Sequence, residues 1–185
     1  RELHPEIELE FVANDRFVSL SKREADLSIT LERPRSGRLI SKKLTDYSLR
    51  LYASRDYLKK HPEIRSMEDL KDHTFISYIE ELVPDPQMLY LSEFVSNPNV
   101  TLKSSSIVFQ FQATLAGAGL SIMHCFVADE RPELVCLLPD DINVKRTFWL
   151  NTPEDIHDLA RIKAVTQFLT ELVEREQKKL LGLTG

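Results

Sequence analysis

An α/β fold is the class this sequence predicts, and three observations predict it. Apolar runs with strand periodicity alternate along the chain with amphipathic helical segments. The composition is ordinary for a globular domain, with 42% hydrophobic and 29% charged residues in 185. No internal repeat or low-complexity tract interrupts the alternation.

The elements follow in order. Ile7, Leu9 and Phe11 alternate with Glu8 and Glu10 after His4-Pro5, the pattern of a strand with one buried face across Glu6 to Val12. Phe17 to Arg23 reads as a short helix and Ala25 to Leu31 as a strand, so the chain opens as β-α-β, the unit of a parallel sheet. Arg33-Pro34-Arg35-Ser36-Gly37 is a turn. Two strand candidates follow, Arg38 to Leu44 and Ser48 to Ala53. Ser54 is placed to cap a helix that His61-Pro62 ends. Ser66-Met67-Glu68-Asp69 has the form of a capping box with Asp in the Glu position.

Thr74 to Ile79 and Asn99 to Lys103 read as strands, with Pro84 and Pro86 as breakers between them. Ser104, Ser105 and Ser106 precede an apolar helix from Ile107 to Ala116, which Gly117-Ala118-Gly119 closes. Within it Phe109, Phe111 and Leu115 suit core or a subunit interface. Leu120 to Met123, Leu134 to Leu138 and Lys145 to Leu150 are further strands. Thr152-Pro153-Glu154 is expected to open the last helix, where Leu159, Ile162, Val165, Phe168, Leu169 and Leu172 recur at helical spacing. Its charged tail, Glu174 to Lys179, is expected to project into solvent.

Charge and motifs narrow the function. The formal net charge is -5 and the pI about 5.6, whereas a nucleic-acid surface needs a basic excess to displace phosphate counterions. No apolar run approaches the roughly 20 residues that span a bilayer, so no membrane role is expected. Cys125 and Cys136 sit among apolar residues without zinc or disulfide-framework spacing, which suits reduced thiols in a cytoplasmic protein. The 5 histidines, His4, His61, His73, His124 and His157, lack metal-site spacing. No phosphate loop, dinucleotide fingerprint or nucleophile elbow is present. The acid pairs Glu80-Glu81 and Asp140-Asp141 read as solvated loops. No enzyme activity, cofactor or metal is therefore expected.

Several segments carry a family resemblance. His4-Pro5-Glu6-Ile7-Glu8-Leu9, Arg23-Glu24-Ala25-Asp26-Leu27-Ser28-Ile29, Leu51-Tyr52-Ala53-Ser54-Arg55-Asp56-Tyr57-Leu58, Met67-Glu68-Asp69-Leu70 and Ala116-Gly117-Ala118-Gly119-Leu120-Ser121-Ile122 occur in one order. Together with the helix from Arg161 to Leu172 they resemble the effector-binding domain of LysR-type transcription regulators. His124 departs from the pattern, which commonly has Pro there. The family's first strand, most of its first helix and a winged helix-turn-helix would precede Arg1.

The resemblance implies a type 2 periplasmic-binding-protein-like fold of two Rossmann-like lobes joined by two crossover strands. Lobe I would comprise residues 1–48 and 146–185, and lobe II residues 49–145. It implies a regulator that holds a small-molecule effector, anions among the candidates, between its lobes. It implies self-association as dimer or tetramer, and DNA contact only through an N-terminal domain outside this chain.

The implied effector-binding residues are Asn14, Thr30, Leu31, Ser77, Tyr78, Ser105, Ser106, Ile107 and His124. Asn14 equally suits an Asx turn. Thr30 and Leu31 end a strand at the expected rim, and some relatives that bind aromatic acids carry Arg at the position of Leu31. Ser77 and Tyr78 end a strand where a ring and a hydroxyl could meet ligand. Ser105, Ser106 and Ile107 start a helix whose free N–H groups suit a carboxylate, although serines there are also ordinary caps. His124 next to Cys125 reads first as structural. A free-standing solute-binding protein of the same fold is the alternative function, and an enzyme on this fold a third.

Overall fold

The computed structural model describes residues 4–12, 24–35 and 37–183. They form two compact units. Unit 1 is Arg1–Thr45 with Thr147–Arg175, and unit 2 is Asp46–Arg146 with Glu176–Gly185. The chain therefore passes between the units three times, where the resemblance implied two crossings with the whole tail in lobe I.

Unit 1 is built on a sheet. Strand β1, Ser28–Thr30, pairs antiparallel with β7, Asn143–Pro153, setting Ile29 opposite Leu150. Strand β2, Leu39–Ser54, lies on the other side of β7. The two strands expected at 38–44 and 48–53 are one, because no Gly or Pro between Leu39 and Ser54 breaks the ladder. Both β2 and β7 run on from unit 1 into unit 2 without interruption.

Helix α5, Ala160–Arg175, buries Ile162 and leaves Phe168 exposed. It starts later than Thr152-Pro153-Glu154 suggested. Those residues are committed to the sheet: β7 extends to Pro153, and the Glu154 N–H donates to the Arg38 carbonyl at 3.1 Å. The strand expected at Glu6 to Val12 does not form. Its alternation specifies a face but not a ladder partner, and Phe11 is 89% exposed. The helix expected at Phe17 to Arg23 lies outside the described residues.

Unit 2 carries most of the core. Helix α1, Arg55–Leu58, starts where Ser54 Oγ accepts the Tyr57 N–H at 3.2 Å, the expected cap. Asp69 accepts the N–H groups of Arg65 and Ser66 at 2.9 and 2.8 Å, so Asp fills the capping-box role. The turn it starts, Met67–Asp72, is 3₁₀. Strand β3, Phe75–Ser77, pairs in parallel with β4, Val100–Lys103. Helix α2, Leu91–Phe94, falls between them.

Helix α3, Ile107–Leu115, leads through Gly117 to β5, Ser121–His124. Helix α4, Cys125–Ala128, and β6, Leu134–Leu137, follow. Strands β5 and β6 both pair antiparallel with β2, as β1 does with β7, so this sheet is not the simple parallel array that an opening β-α-β suggested; the parallel pair β3–β4 forms a second sheet. Leu49, Leu51, Phe75 and Leu120 are 0–1% exposed. Each such burial stabilises the fold by about 2 kcal/mol. Tyr52, Phe111, Met123, Ala128 and Leu134 form one cluster, with Leu115 and Cys136 against it.

The face α3 buries is less apolar than its sequence suggests. Gln110 and Thr114 are buried, whereas Phe109 is half-exposed. Both polar groups are satisfied: Gln110 donates to the Ser104 carbonyl at 3.0 Å, and Thr114 to the Gln110 carbonyl at 2.9 Å. A helix C-terminal to the last named one, α6, Gln177–Leu180, follows α5 after the single residue Glu176. The tail thus does not simply project into solvent.

Candidate functional site

The residues expected to bind ligand fall into three groups. Thr30 and Leu31 close β1 in unit 1. The Thr30 hydroxyl donates to the Glu32 carbonyl at 2.6 Å and accepts from Asn151 Nδ2 at 3.0 Å. Asn151, fully buried, also donates toward Ser28 Oγ at 3.3 Å and accepts from the Ser41 hydroxyl at 2.7 Å. One side chain so holds three strands and fixes the end of β1. Asn14 lies outside the described residues.

The second group is one rim of unit 2. The Ser104 N–H donates to the Ser77 carbonyl at 3.0 Å, which joins the end of β3 to the segment leading into α3. Ser77 and Tyr78 are thereby brought together with Ser105, Ser106 and Ile107. Ser106 is the N-cap: its Oγ accepts the Phe109 N–H at 3.3 Å. Ser104 Oγ accepts the Ser106 N–H at 3.1 Å. Ser105 is half-buried and stands between these two capping serines. A helix start leaves first-turn N–H groups without intrahelical acceptors and carries partial positive charge.

His124 stands in a third group. Its ring stacks on Tyr47, with centroids 5.3 Å apart, and lies 5.2 Å from Phe126. Burial of the ring pushes its pKa down to about 4, so it is neutral near pH 7.

Residues not singled out in the sequence flank the rim. The Tyr78 and Tyr90 rings meet edge to face at 6.2 Å. The Tyr90 hydroxyl is buried, with Tyr78 as its polar neighbour. Burial raises the Tyr47 and Tyr90 hydroxyls above the ordinary phenol range, and the nearby Arg146 charge only partly offsets this. Arg146 donates from Nε to the Gln87 carbonyl at 3.3 Å and pairs with Glu93. The only sequence signal for this set was three tyrosines in otherwise unrelated segments. The Tyr47, Tyr78 and Tyr90 side chains are buried, so the groups on this rim best suited to hydrogen bonding are the helix-start amides and serine hydroxyls.

Unit 1 contains a broad cavity of about 580 Å³ between β2, β7 and α5, lined by Ile40, Leu150, Ile162 and Thr166 among others. None of the described residues expected to bind ligand lines it. Among the described residues no cluster of His, Cys, Asp or Glu could hold a metal, and no helix is long and apolar enough to cross a membrane.

Two α/β units carried on shared strands define a type 2 periplasmic-binding-protein-like domain, a class of ligand-sensing modules. The profile of the LysR substrate binding domain matches residues 1–174, and the chain belongs to that family. Such domains are the non-enzymatic, effector-sensing regulatory parts of LysR-type transcription regulators.

Solved structures agree on the fold. The chain is similar to the regulatory domain of CrgA, a LysR-type transcriptional regulator from Neisseria meningitidis. That match has 23% identity and a TM-score of 0.79, covering 92% of this chain and 86% of that one. A further structure of CrgA matches with the same identity and TM-score, covering 93% of this chain and 60% of that one. The regulatory domain of AphB from Vibrio vulnificus matches at 21% identity and a TM-score of 0.70, covering 92% and 87%. No curated protein sequence matches the chain.

Proposed function

We propose that this chain senses a small, hydrogen-bonding metabolite, carboxylates being the first candidates, with the rim of Ser77, Tyr78, Ser105, Ser106 and Ile107. The family resemblance adds Asn14, Thr30, Leu31 and His124 to that set. The observation that favours it is the 3.0 Å bond between the Ser104 N–H and the Ser77 carbonyl, which sets a strand end beside a helix start. A helix start suits a carboxylate, and the half-buried Ser105 beside it brings a hydroxyl suited to a further polar atom.

Binding shifts the balance between conformations by the metabolite's differential affinity for them. In the whole regulator that shift alters how an attached helix-turn-helix domain engages DNA, in a cytoplasmic dimer or tetramer. The chain's net charge of -5 supports leaving DNA contact to another domain.

The test is thermal melting against carboxylates, amino acids and aromatic acids. A ligand at about 100 times its Kd adds roughly 2.7 kcal/mol. A hit that disappears in Tyr78→Phe and Ser105→Ala supports the rim. A hit that survives both places the site elsewhere.

A further inference from the structure

The third passage between the units differs in kind from the other two. Strands β2 and β7 cross inside a sheet. The third crossing links α5, the last element of unit 1, to α6, which packs in unit 2 against α4. Only Glu176 separates the two helices. One extended residue spans roughly 3.5 Å, so this link holds almost no slack.

The segment is seated in unit 2 at three points. Lys179 Nζ pairs with Glu130 on the turn after α4. Arg50, on β2, donates from Nη1 to the Gly182 carbonyl at 3.1 Å. Gly182 lies directly on Cys125: a Cβ there would stand 2.9 Å from Cys125 Sγ and 3.0 Å from its Cβ. Its φ of +66° is a second reason for glycine, since this left-handed backbone closes the helix. The Gly182 and Leu183 N–H groups return to the Lys179 and Lys178 carbonyls at 3.1 and 2.8 Å, completing that closure.

We propose that residues 176–183 form a strap that limits how far unit 1 moves relative to unit 2, with its seat on Cys125, Arg50 and Glu130. A displacement beyond the reach of Glu176 must lift the strap from that seat or unwind a helix end. The strap thereby sets the range of conformations among which any ligand can choose, and it covers the Cys125 thiol while seated.

Two readouts on the full chain test this. In a Cys136→Ser background, maleimide labelling of Cys125 reports the seat. Gly182→Val, which adds a side chain against Sγ, is expected to speed labelling at least tenfold. Lys179→Glu is the milder variant should the valine prevent folding, and adding Glu130→Lys to it is expected to restore slow labelling. Spin labels at Glu68→Cys and Glu154→Cys, with both native cysteines changed to Ser, report the spread of distances between the units. That distribution is expected to broaden in Lys179→Glu and to narrow again in the charge-swapped double variant. Labelling that stays slow in both strap variants, or follows only global unfolding in urea, overturns the seat. Faster labelling with an unchanged distance distribution overturns the strap.

Discussion

The Tyr57 hydroxyl lies 3.2 Å from Nδ1 of His73, and the other ring nitrogen of His73 is buried without a partner. The same hydroxyl accepts the Thr74 N–H at 3.2 Å, and the His61 ring stacks on Tyr57 at 3.8 Å. Burial, then the neighbouring His61, lowers the pKa of His73, and burial lowers that of His124 to about 4. Both histidines are therefore accommodated neutral.

A pH dependence follows with a definite sign. A histidine whose native pKa lies below its unfolded value of 6.5 binds more protons unfolded, so stability rises with pH. The contribution is complete above 6.5 and is lost as pH falls toward 4. For His124 alone the loss between pH 7.5 and 5 is about 2 kcal/mol, or roughly 4–8 °C in Tm for a chain of this size. His124→Phe keeps a ring on Tyr47 and removes the titration. Its Tm is expected to vary less over this range, and an unchanged slope would show that His124 is not the group responsible.

Asn151 is the polar keystone of unit 1. Asn151→Leu takes the acceptor from the half-buried Ser41 hydroxyl and one donor from Thr30, which keeps its bond to the Glu32 carbonyl, a loss of about 1–3 kcal/mol in all. The urea midpoint is expected to fall while the slope stays constant. No change in midpoint would mean that water replaces the side chain without loss.

Gly119 has no room for a methyl group. A Cβ there would meet the Thr74 carbonyl oxygen at 2.9 Å, beside the bond that the Leu120 N–H makes to the same oxygen at 2.9 Å. Backbone cannot rotate aside as a long side chain can. Gly119→Ala is expected to destabilise by about 1–3 kcal/mol, read from the denaturant midpoint. A neutral result would mean that the β3–β5 junction is softer than its hydrogen bonds imply.

The three serines before α3 separate capping from binding. Ser106→Ala removes the N-cap and is expected to cost about 1 kcal/mol. Ser105 is not the cap, so Ser105→Ala is expected to leave Tm nearly unchanged without ligand. Under the proposed function it alone weakens the ligand-induced shift cleanly. Equal stability loss in both variants would undo that assignment.

Much of the fold was legible in local chemistry. Ser54 and Asp69 announced their caps, and strand alternation located β1 to β7 within a few residues. What escaped depended on partners far along the chain. Ile7, Leu9 and Phe11 show a strand pattern, yet no neighbouring strand among the described residues pairs with them. Nothing local marks Asn151, because its partners Ser28, Thr30 and Ser41 come from two other strands. Tyr47, Tyr90 and Arg146 meet only after folding. The charges of Glu174 to Lys179 suggested solvent, but Lys179 finds Glu130 and Gly182 finds Cys125.

Strand β2 imposes an arithmetic on the evolution of this domain. Side chains along its 16 residues alternate between two faces, and the passage from unit 1 to unit 2 falls inside it with no loop to absorb a change of length. Inserting or deleting one residue near Thr45-Asp46 would turn every following side chain, from Tyr47 to Ser54, onto the opposite face. Two residues would restore the faces and move only the register. Recombination between relatives at this junction is therefore expected to survive in even steps, and a chimera that joins one parent's unit 1 to another's unit 2 must keep the parity of this strand.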